Sequence, residues 1–278
     1  MANSFGEKLS AAFEAKGQLC VGIDPHSHLL TSWDLDDSPK GLREFSLRVV
    51  EAASGLVSAV KPQVSFFERF GATGYEVLSE ATQFAHSEGL IVIADAKRGD
   101  IGSTMDAYLE AWFGDLSGLY ADAVTTSPYL GLAETSEVFG KWQAFGKGFY
   151  SLVATSNQQG ESVQLAQVNG RTLASDQFAQ LSGLNANPAG MLGSRGAVLG
   201  ATLDLERYGI KTEADLIPIL APGFGAQGAK LSDARAIYKG LSSQVSFSVS
   251  RSILDAGARD LSSAIVNANS ELVQGLTK

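Results

Sequence analysis

Short runs of apolar, often β-branched residues recur at a steady interval along this chain. They span 19–25, 57–63, 90–97, 123–129, 148–156, 196–202, 217–223 and 245–252. Runs of that length, bounded by polar residues, read as buried strands. Between them the period changes. Over 43–56 the apolar residues Phe45, Val49, Ala52, Ala53 and Leu56 follow three-four spacing, which places them on one helical face. The stretches 232–241 and 261–273 follow the same rule. Strands that alternate with helices imply a parallel sheet. Eight such units within one chain predict a (β/α)8 TIM barrel, an eight-stranded parallel barrel filling residues 1–278 as one domain, with an open doubly wound sheet as the alternative. No shift in composition marks a linker.

The ends of the runs carry polar or special residues: Asp24, Lys61, Asp95 with Lys97, Ser127, Ser156, Thr202, Gly223 and Arg251. The C-terminal mouth of a barrel is where its chemistry is built. The third run is the densest. It ends Asp95-Ala-Lys97-Arg-Gly-Asp100-Ile-Gly-Ser-Thr104. Residues two apart on a strand point the same way, so Asp95 and Lys97 share a side. Desolvating a carboxylate beside an ammonium is costly, which favours a chemical role over a scaffolding one. Lys61 is expected alongside from the second strand. Asp100 lies beyond the strand, and Ile101 and Thr104 open the next helix. The least regular stretch, 157–171, is either a lid over the site or a surface insertion.

Composition narrows the choices. Of 278 residues, 45% are hydrophobic and 18% charged, a globular profile. The formal net charge of −9 argues against a nucleic-acid binder. A lone cysteine, Cys20, cannot form an intrachain disulfide and suits a reducing compartment. The first residues lack a basic-then-apolar leader, and no apolar run reaches the roughly 20 residues that span a bilayer. The expectation is a cytoplasmic protein without membrane contact.

Candidate chemistry falls at two ends. Gly223-x-Gly225-x-x-Gly228 has the form of a dinucleotide fingerprint, but it follows the seventh run and lacks the later acid that holds a ribose, so NAD binding is rejected. The glycines instead predict backbone amides free to approach a phosphate, next to a helix starting near Ala229, with Arg251 adding a forked donor. At the other end, a lysine among carboxylates stays protonated. That favours a proton donor to a carbanion over a Schiff-base nucleophile. The histidines contribute little: His26 and His28 are expected in solvent rather than on a metal, and His86 on a helix surface.

The stretch from Asp95 to Thr104 resembles the signature of the orotidine 5′-phosphate decarboxylase family, D-x-K-x-x-D-I-[GP]-x-T, without mismatch. Gly22-Ile-Asp24-Pro-His, Val60-Lys61-Pro-Gln-Val, Pro128-Tyr-Leu-Gly131, Thr155-Ser156-Asn157, Gly200-Ala-Thr202 and Pro222-Gly-Phe-Gly-Ala-Gln227-Gly agree, in the manner of the longer-chain bacterial members. Two places depart: Ser127 replaces the usual Asn, and Gln158-Gln159-Gly160 replaces Pro-Gly-Ser. The resemblance implies a homodimeric barrel that converts orotidine monophosphate (OMP) to UMP and CO2 without metal or organic cofactor. It implies Lys97 as proton donor to pyrimidine C6, with Asp95 crowding the departing carboxylate. Lys61 and Asp24 would hold ribose hydroxyls. Asp100 and Thr104 would reach into the partner's site. Ser156 would meet the pyrimidine edge, and Gln227 and Arg251 would hold the phosphate, beside the Gly223 loop read above. Two rivals are a magnesium-dependent sister decarboxylase of a sugar phosphate, which needs an acid where Lys61 stands, and a silent nucleotide-binding barrel, which gains nothing from an intact charge array.

Overall fold

A computed structural model describes residues 3–185, 191–212 and 216–277. Eight parallel strands close on themselves: β1 (Leu19–Ile23), β2 (Ala59–Pro62), β3 (Ile91–Arg98), β4 (Ala123–Thr126), β5 (Gly148–Ala154), β6 (Arg195–Leu199), β7 (Ile219–Ala221) and β8 (Val245–Val249). Each pairs with its sequence neighbour, and β8 returns to β1 through Leu19 opposite Phe247. Every expected strand is present, and the doubly wound alternative is set aside by closure.

Strand alternation sorts the side chains. Val21, Val60, Val92, Ala94, Val124, Phe149 and Phe247 point outward into the main core under the helices. Cys20, Ala59, Ile91, Ile93, Tyr150, Val198 and Leu220 point inward and fill the barrel. The helix Phe5–Lys16 covers the end where the strands begin, its Phe5 ring edge-on to Tyr150 at 5.9 Å. Ser4 and Glu7 cap it reciprocally. Gly148 makes room for that ring, since a Cβ there would lie 2.3 Å from Phe5. One step further up the inward-facing rows of β2 and β3 come Lys61 and Asp95, above this apolar plug.

Three expectations need correcting. The helix predicted over 43–56 runs Pro39–Ala53, because Ser38 caps it and Pro39 starts it. The segment 232–241 is not one helix; it is a 3-10 turn, the short helix Ala234–Tyr238 and a second 3-10 turn from Lys239. The stretch 157–171 is far from irregular. It forms a 3-10 turn, the helix Glu161–Gln164 and a two-stranded hairpin of Gln167–Val168 with Arg171–Thr172. Gln164 ties it to the barrel, accepting from the Thr155 amide at 3.1 Å and donating to the Thr155 hydroxyl at 2.7 Å. Among the described residues no helix is long and apolar enough to cross a membrane.

Candidate active site

The C-terminal mouth of the barrel holds a cavity of about 590 Å³. Asp24, Lys61, Asp95, Lys97, Ser156, Gly223, Gln227 and Arg251 all line it, so most of the residues singled out in the sequence converge there. Ser127 and Thr202 do not line it.

The floor is a charged row. Lys61 Nζ lies 3.0 Å from Asp95 Oδ2, and Lys97 Nζ lies 2.6 Å from Asp95 Oδ1. The Lys61 and Asp95 side chains are 7% and 13% exposed, while that of Lys97 is 44% exposed and faces the cavity. Burial alone would push the Asp95 carboxyl up. The two ammoniums outweigh burial and hold it well below the usual carboxylate range. Burial likewise works against the Lys61 charge, but Asp95 and Asp24 together raise its pKa above that of an ordinary lysine. Asp24 Oδ1 is buried and has no hydrogen-bond partner. At Gly22, two residues before it, a Cβ would sit 1.8 Å from Ser250 Oγ, so any larger residue would displace the Ser250 side chain.

Lys97 does not arrive by simple alternation. It has φ +51, in the left-handed region, and the β3–β4 register shifts between Ala94 and Arg98. The backbone bulges at the reacting group. Arg98 then turns outward and pairs with Glu68, whose Oε1 also accepts from the Tyr75 hydroxyl at 2.8 Å. Asp100 does not join the row within one chain. Its Oδ1 accepts from the neighbouring Ile101 amide at 2.8 Å, and Ile101 and Thr104 are exposed around the start of the helix Gly102–Phe113.

The opposite wall is polar and glycine-rich. Ser156 Oγ donates to Gln227 Oε1 at 2.7 Å, which joins the loops after β5 and β7 across the opening. Gly223, Gly225 and Gly228 have φ of +117, +71 and +106, which L side chains rarely adopt. The expected use of this loop is corrected in part. The Gly225 and Gly228 amides donate within the loop, to Ala229 and Gly225 carbonyls, both at 2.8 Å, and no helix starts at Ala229. The glycines make a tight turn that carries Gln227 to the cavity. Arg251 opens the short helix Arg251–Leu254 beside it.

Sequence reasoning missed several contributors. Gln63 accepts from Lys97 Nζ at 3.3 Å. Its signal was its place two residues after Lys61. His26, expected in solvent, lines the cavity with its ring 4.3 Å from that of Phe66. Burial lowers its pKa against the pull of Asp24. His28 is exposed, and among the described residues no group of three or more His, Cys, Asp or Glu side chains is placed to hold a metal ion. His86 ends the helix Gly71–Ser87, beside the Tyr120 carbonyl and 3.6 Å from Asp122.

A family model described as Orotidine 5'-phosphate decarboxylase / HUMPS family matches residues 17–264. The chain belongs to the orotidine 5′-phosphate decarboxylase family. A protein of that name from Nocardioides sp. is 43% identical over 276 residues, 96% of this chain and 98% of its own. One from Streptomyces coelicolor is 44% identical over 255 residues, covering 91% of this chain and 90% of its own. A solved chain from Streptomyces avermitilis superposes with a TM-score of 0.92 at 42% identity, over 100% of this chain and 97% of the other. Leishmania donovani OMP decarboxylase gives 0.78 at 28% identity, over 99% of this chain and 100% of the other. Membership in the decarboxylase family makes the chain an enzyme, a carboxy-lyase.

Proposed function

We propose that this enzyme converts OMP to UMP and CO2 in pyrimidine biosynthesis, as a cytoplasmic homodimer of single-domain barrels. It needs no metal or organic cofactor in this reading. The observation that carries the proposal is the Lys97 ammonium, 2.6 Å from Asp95 and facing the cavity, backed by buried Lys61.

The chemistry follows from where charge moves. The bond between pyrimidine C6 and the carboxyl carbon breaks, and its electron pair stays on C6 as CO2 leaves. A cation fixed beside C6 stabilises that pair more than it stabilises the substrate. Lys97 then transfers an Nζ proton to C6 and is reprotonated from solvent. Asp95 repels the substrate carboxylate until CO2 departs. Lys61 and Asp24 hold the ribose hydroxyls, a role supported by the place of both residues on the cavity wall. Gly223, Gln227 and Arg251 take the phosphate, Ser156 meets the pyrimidine edge, and phosphate binding supplies energy to close the opening. Asp100 and Thr104, which stay outside their own chain's cavity, act in the partner's site. Lys61 also weighs against a magnesium-dependent reading, since it puts a cation where a metal needs an acid.

The test is loss of OMP absorbance with purified protein in a metal chelator. Turnover at the untreated rate is expected. Inert protein would sink the reading, and activity restored only by Mg2+ would favour the sister reaction.

A further inference from the structure

We propose that Thr125 is a positioning residue whose single hydroxyl fixes Asp95 and Lys97 relative to each other; this rests on the decarboxylation reading. Ala94 pairs with Val124 and Arg98 with Thr126, so Asp95, Ala96 and Lys97 of β3 together face the one residue Thr125 of β4. A bulge of that size leaves backbone groups without ladder partners. Thr125 supplies one for the Lys97 amide. Its Oγ1 accepts from the Lys97 amide at 2.9 Å and donates to Asp95 Oδ1 at 3.0 Å. A hydroxyl has one proton to give, and here that proton goes to the carboxylate.

The contacts close a ring. The Lys97 amide donates to Thr125 Oγ1, Thr125 donates to Asp95 Oδ1, and the same Oδ1 receives Lys97 Nζ at 2.6 Å. One small group therefore fixes both ends of the lysine: its backbone directly, and its ammonium through the carboxylate. The backbone needs the support, because φ +51 is an uncommon conformation for a residue with a Cβ. The far side of the bulge is closed by the Ser127 amide donating to the Arg98 carbonyl at 2.7 Å. Thr125 is 1% exposed and does not line the cavity. It acts through Asp95 and Lys97, without touching substrate.

A threonine on a strand is ordinarily a packing choice, and packing alone predicts that valine, of the same shape, would serve. The hydroxyl reading predicts otherwise. Wild type, Thr125→Val and Thr125→Ser are compared by kcat for OMP, by UMP affinity and by Tm. Thr125→Val should lose about ten- to a hundredfold in kcat, the size set by a hydrogen bond to a charged group. UMP affinity should hold, and Thr125→Ser should recover most of the loss. If Thr125→Val is too unstable to assay, Thr125→Cys replaces it. Hydrogen exchange at the Lys97 amide supplies a readout independent of turnover, with protection lost in Thr125→Val and kept in Thr125→Ser. Wild-type kcat in Thr125→Val, or equal losses in both variants, would overturn the inference. Inert wild type would instead overturn the decarboxylase reading, and amide exchange would then decide this one.

Discussion

Replacing Lys61 with methionine tests the charged row most directly, because it removes one charge and keeps the volume. Lys61 is the partner of Asp95 Oδ2, at 3.0 Å, and both side chains are largely buried. Breaking a buried ion pair by deleting one partner costs about 3–5 kcal/mol. Asp95 keeps two other contacts on Oδ1, from Lys97 at 2.6 Å and Thr125 at 3.0 Å, so the low end of that range applies, about 3 kcal/mol. For a chain of this size that is a fall in Tm of about 5–10 °C. The pH dependence follows from the depressed Asp95 carboxyl. Its contribution to stability is fully present above its unfolded value near pH 4, and is lost as pH falls through the lower folded value. Lys61→Met removes the stronger of the two attractions and lets the folded value rise. The gap between wild type and variant, measured by urea unfolding, is therefore largest at neutral pH and narrows below about pH 4. Adding Asp95→Asn to Lys61→Met should recover part of the loss, since no carboxylate is then left unpaired. A gap under about 0.5 kcal/mol, or one that stays constant with pH, would refute the assignment of this pair as buried and mutually dependent.

Three further outcomes bear on the mechanism. Lys97→Ala should abolish detectable turnover, losing at least the roughly 10²–10⁴-fold owed to a positioned proton donor, while still binding UMP by calorimetry; retained turnover removes Lys97 from that role. Arg251→Ala should lower kcat/KM by about ten- to a hundredfold and weaken inorganic phosphate as an inhibitor, and an unchanged ratio would mean the phosphate is held elsewhere. Asp100→Asn and Lys97→Ala chains, each inactive alone, should regain activity when mixed, because one hybrid site then holds both native residues. Continued inactivity in demonstrated heterodimers argues against shared sites.

The barrel was legible because its strands are buried on both faces, which makes each a short apolar run with a polar end. The inward row was legible too: alternation on β3 carries Ile91 and Ile93 into the barrel, and the next inward position is Asp95. On the far wall Ser156, Gly223 and Arg251 were legible as run ends, and the resemblance supplied Gln227, which no local pattern distinguishes from a surface residue. The helix boundary at Pro39 slipped because capping by Ser38 leaves no periodic trace. The stretch after Ser156 reads as polar loop, but its order comes from Gln164 bonding back to Thr155, a contact that spacing alone does not announce.

Lys97 is the most instructive position, because alternation places it correctly for an incomplete reason. In an unbroken strand it would stand about 6.6 Å beyond Asp95 along the barrel wall, with its amide facing β2, the side on which Ile91 and Asp95 make their backbone bonds. The observed backbone departs from that path: the register slips, φ turns positive, and the amide finds a side-chain hydroxyl instead. A regular strand would let the lysine swing through several rotamers and reach Asp95 in only some of them. The bulge, with Thr125 and Gln63 about it, confines both the backbone and the ammonium, so that less ordering remains when the transition state forms. That confinement lies in register and in partners distant in sequence, which is why the charged motif announces the chemistry but not the geometry that makes it efficient.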